Sequence, residues 1–264
     1  MNVGIIGYGS MGSMLLDKFS VGLPDNDYLV YNRTMAKIPV RPDRYKICTG
    51  AAELAGESDI IFVCVRPMDI GTVLTDIADC VSEDKVIVSL NGSVTFEQLE
   101  KLTCAGLAKV IPSVTAEIDR SQTLVSFGRG ITEDDKGRLC GLLESIGRVI
   151  ELPENELGMG SELVSCMPGF IAAVFDVICE AAGKHTSLSQ AEISQMVLHT
   201  LTATGELMLD RDMNFDDVVK RVATPNGITE EGTKVIYEQL PRIADELFDK
   251  TLEKRRLTAE KVKL

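Results

Sequence analysis

Through the first 150 residues, short apolar runs alternate with segments of helical period. The runs Val3–Ile6, Tyr28–Tyr31, Ile60–Val65, Val86–Leu90, Lys109–Ile111 and Thr123–Phe127 predict strands, with Arg148–Leu152 closing the series. Ile60–Val65 contains no polar residue, which suits a central parallel strand covered on both faces. Between most of these runs the apolar spacing turns helical, as in Met11–Phe19, Phe96–Leu102 and Thr132–Ser145. Strand and helix in alternation predict an α/β fold with a doubly wound, mostly parallel sheet.

After Pro153 no further strand is predicted. Leu163–Ala182 reads as a long buried helix interrupted near Pro168-Gly169, and Ser187–Leu209 sets Ile193, Val197, Leu201 and Met208 along one face. A short helix over Asn214–Ala223 precedes a long amphipathic one over Glu230–Arg256. Its basic end, Lys254-Arg255-Arg256, suits a helix C-terminus. The closing TLEKRRLTAEKVKL is expected to fray. The pattern changes at 153–158, so an α/β domain over residues 1–155 and an all-α domain over 156–264 are expected. Segment 163–182 carries only Asp176 and Glu180 as charges. Alone it could not stand as an exposed helix, so it is a core or an interface helix, and an obligate homodimer or higher homo-oligomer is expected.

Composition narrows the partners. The 264 residues are 45% hydrophobic and 25% charged, ordinary for a globular protein and unlike a disordered or fibrous chain. Lys+Arg 27 against Asp+Glu 40 gives a net charge of −13, which repels phosphate backbones. Nucleic acid is therefore not an expected partner, although a local basic spot can still hold a small anion. The start MNVGIIGYGSMG has no cationic leader ahead of its apolar run, so no signal peptide is expected. The longest apolar stretches, six residues at Ile60–Val65 and nine at Met167–Phe175, fall short of a bilayer span of roughly 20, and no membrane partner is expected. Seven cysteines (Cys48, Cys64, Cys80, Cys104, Cys140, Cys166, Cys179) form no C-x-x-C pair and read as reduced, mostly core thiols of a cytoplasmic protein. Only His185 and His199 exist, neither with a cysteine at ligand spacing, so no metal is expected.

The first chemical signal is Gly7-Tyr8-Gly9-Ser10-Met11-Gly12, a G-x-G-x-x-G between a predicted strand and a predicted helix. In that setting Gly7 allows the tight turn, Gly9 lets the backbone approach a pyrophosphate, and Gly12 lets the helix pack on the strand. The helix N-terminus then offers amide donors to the phosphates. A dinucleotide-binding domain of Rossmann type is expected. An NAD-selective site would place Asp or Glu at the end of the second strand; this chain has Asn32-Arg33-Thr34. A guanidinium with amide and hydroxyl neighbours suits a 2′-phosphate, favouring NADP(H), with an exposed turn arginine as the plain alternative. Val65-Arg66-Pro67 and Asn91-Gly92 follow the third and fourth strands, where the cofactor lies between ribose and nicotinamide. Arg66 is nearly as well explained as an ordinary solvated residue.

These residues and others resemble the pyrroline-5-carboxylate reductases over nearly the whole length. The glycine fingerprint, Asn32-Arg33-Thr34, Val65-Arg66-Pro67 (family: Val-Lys-Pro) and Lys109-Val-Ile-Pro-Ser-Val-Thr115 (family: Arg-Val-Met-Pro-Asn-Thr-Pro) carry the likeness in the first half. In the second half, Thr202-Ala-Thr-Gly205 resembles the family's Thr-x-x-Gly, and Val222-Ala-Thr-Pro-Asn-Gly-Ile-Thr-Glu-Glu-Gly232 resembles its Val-Thr-Ser-Pro-Gly-Gly-Thr-Thr-x-x-Gly. Ser165-Cys166 and the Ile-Pro-Ser pattern resemble the divergent branch beside late-competence genes in spore-forming bacteria. The departures lie in the same places. Cys166 and Met167 stand for a serine and a glycine, Ser113 for the loop asparagine, Asn226 for a glycine and Ile228 for one of the paired threonines.

The resemblance implies a Rossmann domain, an all-α C-terminal dimerisation domain, and NADPH-dependent reduction of 1-pyrroline-5-carboxylate to proline. It implies Thr229 as the hydroxyl that relays a proton. Around the substrate it implies Ser113, Thr115, Cys166, Thr224, Asn226, Gly227 and Thr229. Read without the resemblance, Thr224-Pro225-Asn226-Gly227 is a turn signature and Ile228-Thr229-Glu230-Glu231 a helix start, with Thr229 as cap. Such a start can anchor a small carboxylate, though a plain capped turn is the commoner use of the same residues. Glu230 and Glu231 are adjacent on a helix and do not face each other, so they complement the helix N-terminus rather than pair as acid and base. Two other readings stay open: a reductase of a different, more apolar imine, given Cys166, Met167 and Ile228, and a catalytically degenerate NADP-binding regulatory paralogue.

Overall fold

The strands of the first half are apolar on both of their faces, so burying them takes two layers of helices. In the computed structural model, which describes residues 1–262, β1 (Asn2–Ile6), β2 (Asp27–Tyr31), β3 (Lys46–Ile47), β4 (Ile60–Val63), β5 (Val86–Ser89), β6 (Gly106–Ile111), β7 (Ser121–Phe127) and β8 (Gly147–Glu151) make one sheet. Its order is β3-β2-β1-β4-β5-β6-β7-β8. The helices α1 (Ser10–Gly22), α2 (Ala51–Glu57), α3 (Ile70–Ile77), α4 (Phe96–Leu99) and α5 (Glu133–Glu144) lie between the strands in sequence. Val3, Ile5, Ile60, Phe62 and Val88 pack on one face with Leu15, Phe19, Leu139 and Leu143 of α1 and α5. Their alternates Ile6, Ile61, Val63 and Ile87 pack on the other with Leu54, Leu74 and Leu99 of α2, α3 and α4. Each such side chain contributes about 1.5–3 kcal/mol on leaving water.

The expected α/β fold with a mostly parallel sheet is present. Only β6 and β7 pair antiparallel. Residues 112–120 between them are too few for a crossover, which takes a dozen or more. Two strand details were not foreseen. The edge strand β3 is two residues long and has no apolar run to announce it. The strand expected over 60–65 ends at Val63, where the chain turns along the sheet edge.

The chain forms two compact units, Met1–Pro168 together with the chain from Thr251 onward, and Gly169–Lys250. The first therefore extends past the pattern change at 155/156 and recovers the end of the chain. Helix α6 (Leu157–Ser161), a π-turn over Glu162–Cys166 and α7 (Met167–Gly183) run on as one helix of 30 residues from Glu154 to Gly183. The interruption expected near Pro168 is thus a widened turn, not a break. Pro168 has no N–H for the carbonyl one turn back, and the π-turn just upstream takes up the mismatch. This helix is long and apolar enough, by length and composition, to cross a membrane. That corrects the count of short apolar runs, which stopped at each polar residue.

The second unit continues with α8 (Gln190–Asp210), α9 (Phe215–Val222) and α10 (Ile228–Ala259), whose last turns return to the first unit. Within 169–250 the buried apolar residues are Cys179 and Ile193, while Val177, Met196, Val235 and Tyr237 are each at least 60% exposed. The long helix expected to be buried is therefore largely uncovered within a single chain. The expected fraying of the C-terminus is also corrected. Helix runs to Ala259, and Val262 is buried in the apolar cluster of α2, α3 and α4, which holds the end down. Lys263 and Leu264 lie outside the described residues.

One charge is buried in the sheet. Lys109 of β6 is 1% exposed and reaches Glu154, at the start of the long helix, at 2.5 Å. Glu154 also accepts the Phe96 N–H at 2.7 Å, and the ammonium sits 5.0 Å from the Phe96 ring centre. Burial pulls the Lys109 ammonium below its ordinary value, opposed by the Glu154 carboxylate. Breaking such a pair from one side leaves a stranded charge, whereas removing the buried charge itself does not. Chemical unfolding of Glu154→Gln is expected to lose about 3 kcal/mol, and Lys109→Met to stay within about 1 kcal/mol of wild type. Equal losses in both would show that the pair is a net attraction rather than a compensated burial.

Candidate active site

Strand β1 lies between β2 and β4, where the strand order reverses, and α/β sheets bind ligands at such a point. The loop after it is fastened to both neighbours. Gly7 N–H donates to Tyr31 O at 2.8 Å, and Cys64 N–H donates to Ile6 O at 2.8 Å. Gly7 has φ +105°, and a Cβ there would lie 2.6 Å from the Cys64 carbonyl oxygen. A Cβ on Gly12 would overlap the Gly7 carbonyl oxygen, so α1 meets the loop backbone to backbone. Nothing lies within 4 Å of a Cβ built on Gly9. Beneath the loop, burial pushes the Cys64 thiol up to about 12, so it adds no negative charge.

Helix α1 begins without a capping side chain and without an acidic residue in its first turn. The helices α4, α5, α8 and α9 all start with a reciprocal capping box. The first amides of α1 are therefore unsatisfied donors at the positive end of the helix dipole, beside exposed Gly9 and Ser10. Such an end can hold a phosphate or pyrophosphate.

At the end of β2, Asn32 frames the loop. Its Oδ1 accepts Tyr8 N–H at 3.1 Å and its Nδ2 donates to Thr34 O at 2.8 Å. Arg33 and Thr34 are exposed. Sequence reasoning singled out Arg33 alone, but residues 33–46 carry Arg33, Lys37, Arg41, Arg44 and Lys46 against the single acid Asp43, in a chain of net charge −13. That local inversion of sign was the available signal. The segment folds onto the glycine loop through a hydrogen bond shared by the Tyr8 and Tyr45 hydroxyls. Burial and the neighbouring Tyr8 push the Tyr45 phenol up to about 12.

Past β4, Pro67 opens a short 3-10 turn after exposed Arg66. Past β5, Asn91 is buried and donates through Nδ2 to Val65 O at 3.1 Å, tying the two strand ends together just before Gly92. The glycine loop, residues 32–34, 65–67 and 91–92 thus follow the ends of β1, β2, β4 and β5 in one unit. After β6, Ser113 is buried, its Oγ accepts Thr115 N–H at 3.5 Å, and Thr115 Oγ1 donates to Arg120 O at 3.0 Å. Both hydroxyls are engaged within their own loop. Cys166 closes the π-turn, half-buried, with its thiol pushed up by burial and then by Glu162. Sequence reasoning passed over Glu162, although it is the only charge between Glu156 and Asp176.

Thr224, Asn226, Gly227 and Thr229 belong to the second unit. Gly227 N–H donates to Thr224 O at 2.8 Å, and Asn226 sits in the left-handed region at φ +60°. The helix starts at Ile228, so Thr229 lies inside its first turn; the cap expected at Thr229 is corrected to Gly227, which has no side chain to offer. Glu230 folds back to accept Asn226 N–H at 2.7 Å. Thr224, Asn226 and Thr229 are exposed, and the first turn of α10 carries Glu230 and Glu231. His185 and His199 are exposed. Among the described residues, no group of three or more His, Cys, Asp or Glu converges to hold a metal ion.

Residues 154–257 match the family described as pyrroline-5-carboxylate reductase dimerisation, and residues 2–92 match NADP oxidoreductase, coenzyme F420-dependent. The chain is similar to pyrroline-5-carboxylate reductase 3 of Bacillus subtilis, 33% identical over 98% of this chain and 97% of that one. It is also similar to ComE operon protein 4 of the same organism, 27% identical over 95% and 94%. Its fold matches the solved Plasmodium falciparum pyrroline carboxylate reductase with NADP bound, at a TM-score of 0.86 with 19% identity, covering 98% of both chains. The chain belongs to the pyrroline-5-carboxylate reductase family.

Proposed function

We propose that the protein is a cytoplasmic homodimer that reduces 1-pyrroline-5-carboxylate to proline with NADPH. The observation that carries this reading is the uncapped, acid-free start of α1 beneath the open face of Gly9, in a chain of this family. Gly7, Gly9 and Gly12, with the amides of Ser10 and Met11, take the pyrophosphate, while Tyr8 and Asn32 set the loop. Arg33 and Thr34 face the 2′-phosphate, and the basic segment through Lys46 adds to the local potential. Val65, Arg66, Pro67, Asn91 and Gly92 line the path from ribose to nicotinamide.

NADPH, when bound, supplies the hydride that reduces the carbon of the C=N bond. The chain's residues orient the substrate and deliver a proton. The turn Thr224, Asn226, Gly227 and the first amides of α10 hold the carboxylate. The Thr229 hydroxyl relays a solvent proton to the ring nitrogen, so imine, hydride and proton together give the amine. Ser113, Thr115 and Cys166 of the first unit are the further substrate contacts of this reading. The apolar replacements Cys166, Met167 and Ile228 favour, as a second reading, a less polar imine.

NADPH oxidation with 1-pyrroline-5-carboxylate is the direct test. Arg33→Ala should raise the KM for NADPH roughly 10- to 100-fold, the loss of charge-assisted bonds of about 1.5–3 kcal/mol. Thr229→Ala should lower kcat about 100-fold. Wild-type protein that binds NADPH but does not turn over this imine would discard proline formation and leave the apolar imine or a regulatory role.

The glycines separate folding from binding. Gly9→Ala should fold within about 0.5 kcal/mol of wild type and lose NADPH affinity. Gly12→Ala should lose about 2 kcal/mol or more of stability by overpacking against backbone. A Gly9→Ala protein with full affinity would move the phosphates elsewhere. Sedimentation at micromolar concentration should give a dimer, and a monomer there would refute the assembly.

A further inference from the structure

The returning end of α10 places a cation at the mouth of β5. Arg255 Nη2 donates to Glu162 Oε1 at 2.7 Å and to Ser161 Oγ at 3.0 Å. Glu162 is 1% exposed and Ser161 5%. Two atoms of this cluster make no hydrogen bond, Glu162 Oε2 and Arg255 Nε. Arg255 Nη1 lies 3.3 Å from where a Cβ on Gly92 would stand. Gly92 follows β5 at the sheet edge, and the carboxylate sits in the π-turn that ends at Cys166.

The Glu162 carboxylate is buried while Arg255 stays 23% exposed, so the carboxylate carries the desolvation cost of the pair. Buried polar atoms without partners are rare and call for a reason. A π-turn inside a helix is frequently part of a functional site. All three features meet beside Gly92, on the edge where the cofactor reading puts the nicotinamide. Oε2 and Nε are sealed inside the cluster, and the donor it presents toward Gly92 is Nη1. A guanidinium N–H held in this way is complementary to the carbonyl oxygen of a carboxamide.

We propose that Arg255, held in place by Glu162 and Ser161, donates to the carboxamide oxygen of the nicotinamide, with Glu162 as a positioning residue. The proposal rests on the cofactor reading above. It makes the C-terminal segment part of the cofactor site.

The test compares two ligands by direct binding to the full-length protein: NADPH, and 2′-phospho-ADP-ribose, which has every phosphate but no nicotinamide. Arg255→Gln is expected to weaken NADPH about tenfold and leave 2′-phospho-ADP-ribose unchanged. Glu162→Gln strands a cation and can fail to fold, so Glu162→Gln/Arg255→Gln, which removes both charges together, serves as the second variant. It should give the same split, with kcat falling more than the KM for the imine changes. Arg255→Lys should restore part of the NADPH affinity. Equal weakening of both ligands, or none, would overturn the inference while leaving the cofactor reading intact. Wild-type protein that binds neither ligand would overturn the cofactor reading and the inference with it.

Discussion

The cofactor edge depends on one close approach of backbone to backbone. Helix α1 can leave β1 at once only because Gly12 lets it touch the carbonyl of Gly7, while Gly7 lets the loop lie on the carbonyl of Cys64. Any side chain at either place pushes the helix outward, and its amides then no longer point along the switch of strand order. A capping hydroxyl or carboxylate would satisfy these amides, as it does in α4, α5, α8 and α9; α2 and α3 also start without one. The start of α1 keeps its first amides free of side-chain partners.

Two buried ion pairs extend this logic to the rest of the first unit. Lys109–Glu154 fastens the start of the long helix to β6, and Arg255–Glu162 fastens the end of α10 beside β5. Neither pair adds much stability by itself, since desolvation offsets attraction. Each instead allows one register, because a shifted helix would leave a charge unpaired in the interior. Both pairs lie within the first unit, one before the chain leaves it and one after the chain returns.

The sheet was legible because its strands are buried on both faces: Ile60–Val63 has no residue that fits anything else. The glycine loop was legible because close approach admits only glycine, and chemistry so narrow leaves a pattern. The π-turn was half legible, since Pro168 announces a missing hydrogen bond but not how the helix absorbs it. The edge strand β3 was invisible, because two half-exposed residues carry no period. The role of residues 251–262 was misjudged as fraying for a related reason. A segment rich in charge looks solvated, and only the fold supplies Glu162 for Arg255 and an apolar cluster for Val262. Of the site, the positions that touch backbone were readable, and those that depend on a partner far along the chain were not.

The helical unit raises the question of what covers it. With Cys179 and Ile193 as its buried apolar residues, it has almost no core of its own, and an uncovered apolar surface of this kind is not stable in water. A bilayer would cover the long helix, which passes the length test. It would not suit the neighbouring helices, where exposed Val235, Ile236 and Tyr237 alternate with Lys234 and Glu238 on α10. Hydrocarbon can satisfy no such charge, whereas a protein surface can cover the apolar positions and leave the charges at a wet rim. The region matched to a reductase dimerisation family spans these same helices. A second protein surface is thus what the apolar pattern asks for, and a second copy of the chain supplies one whose own uncovered helices face the same deficit.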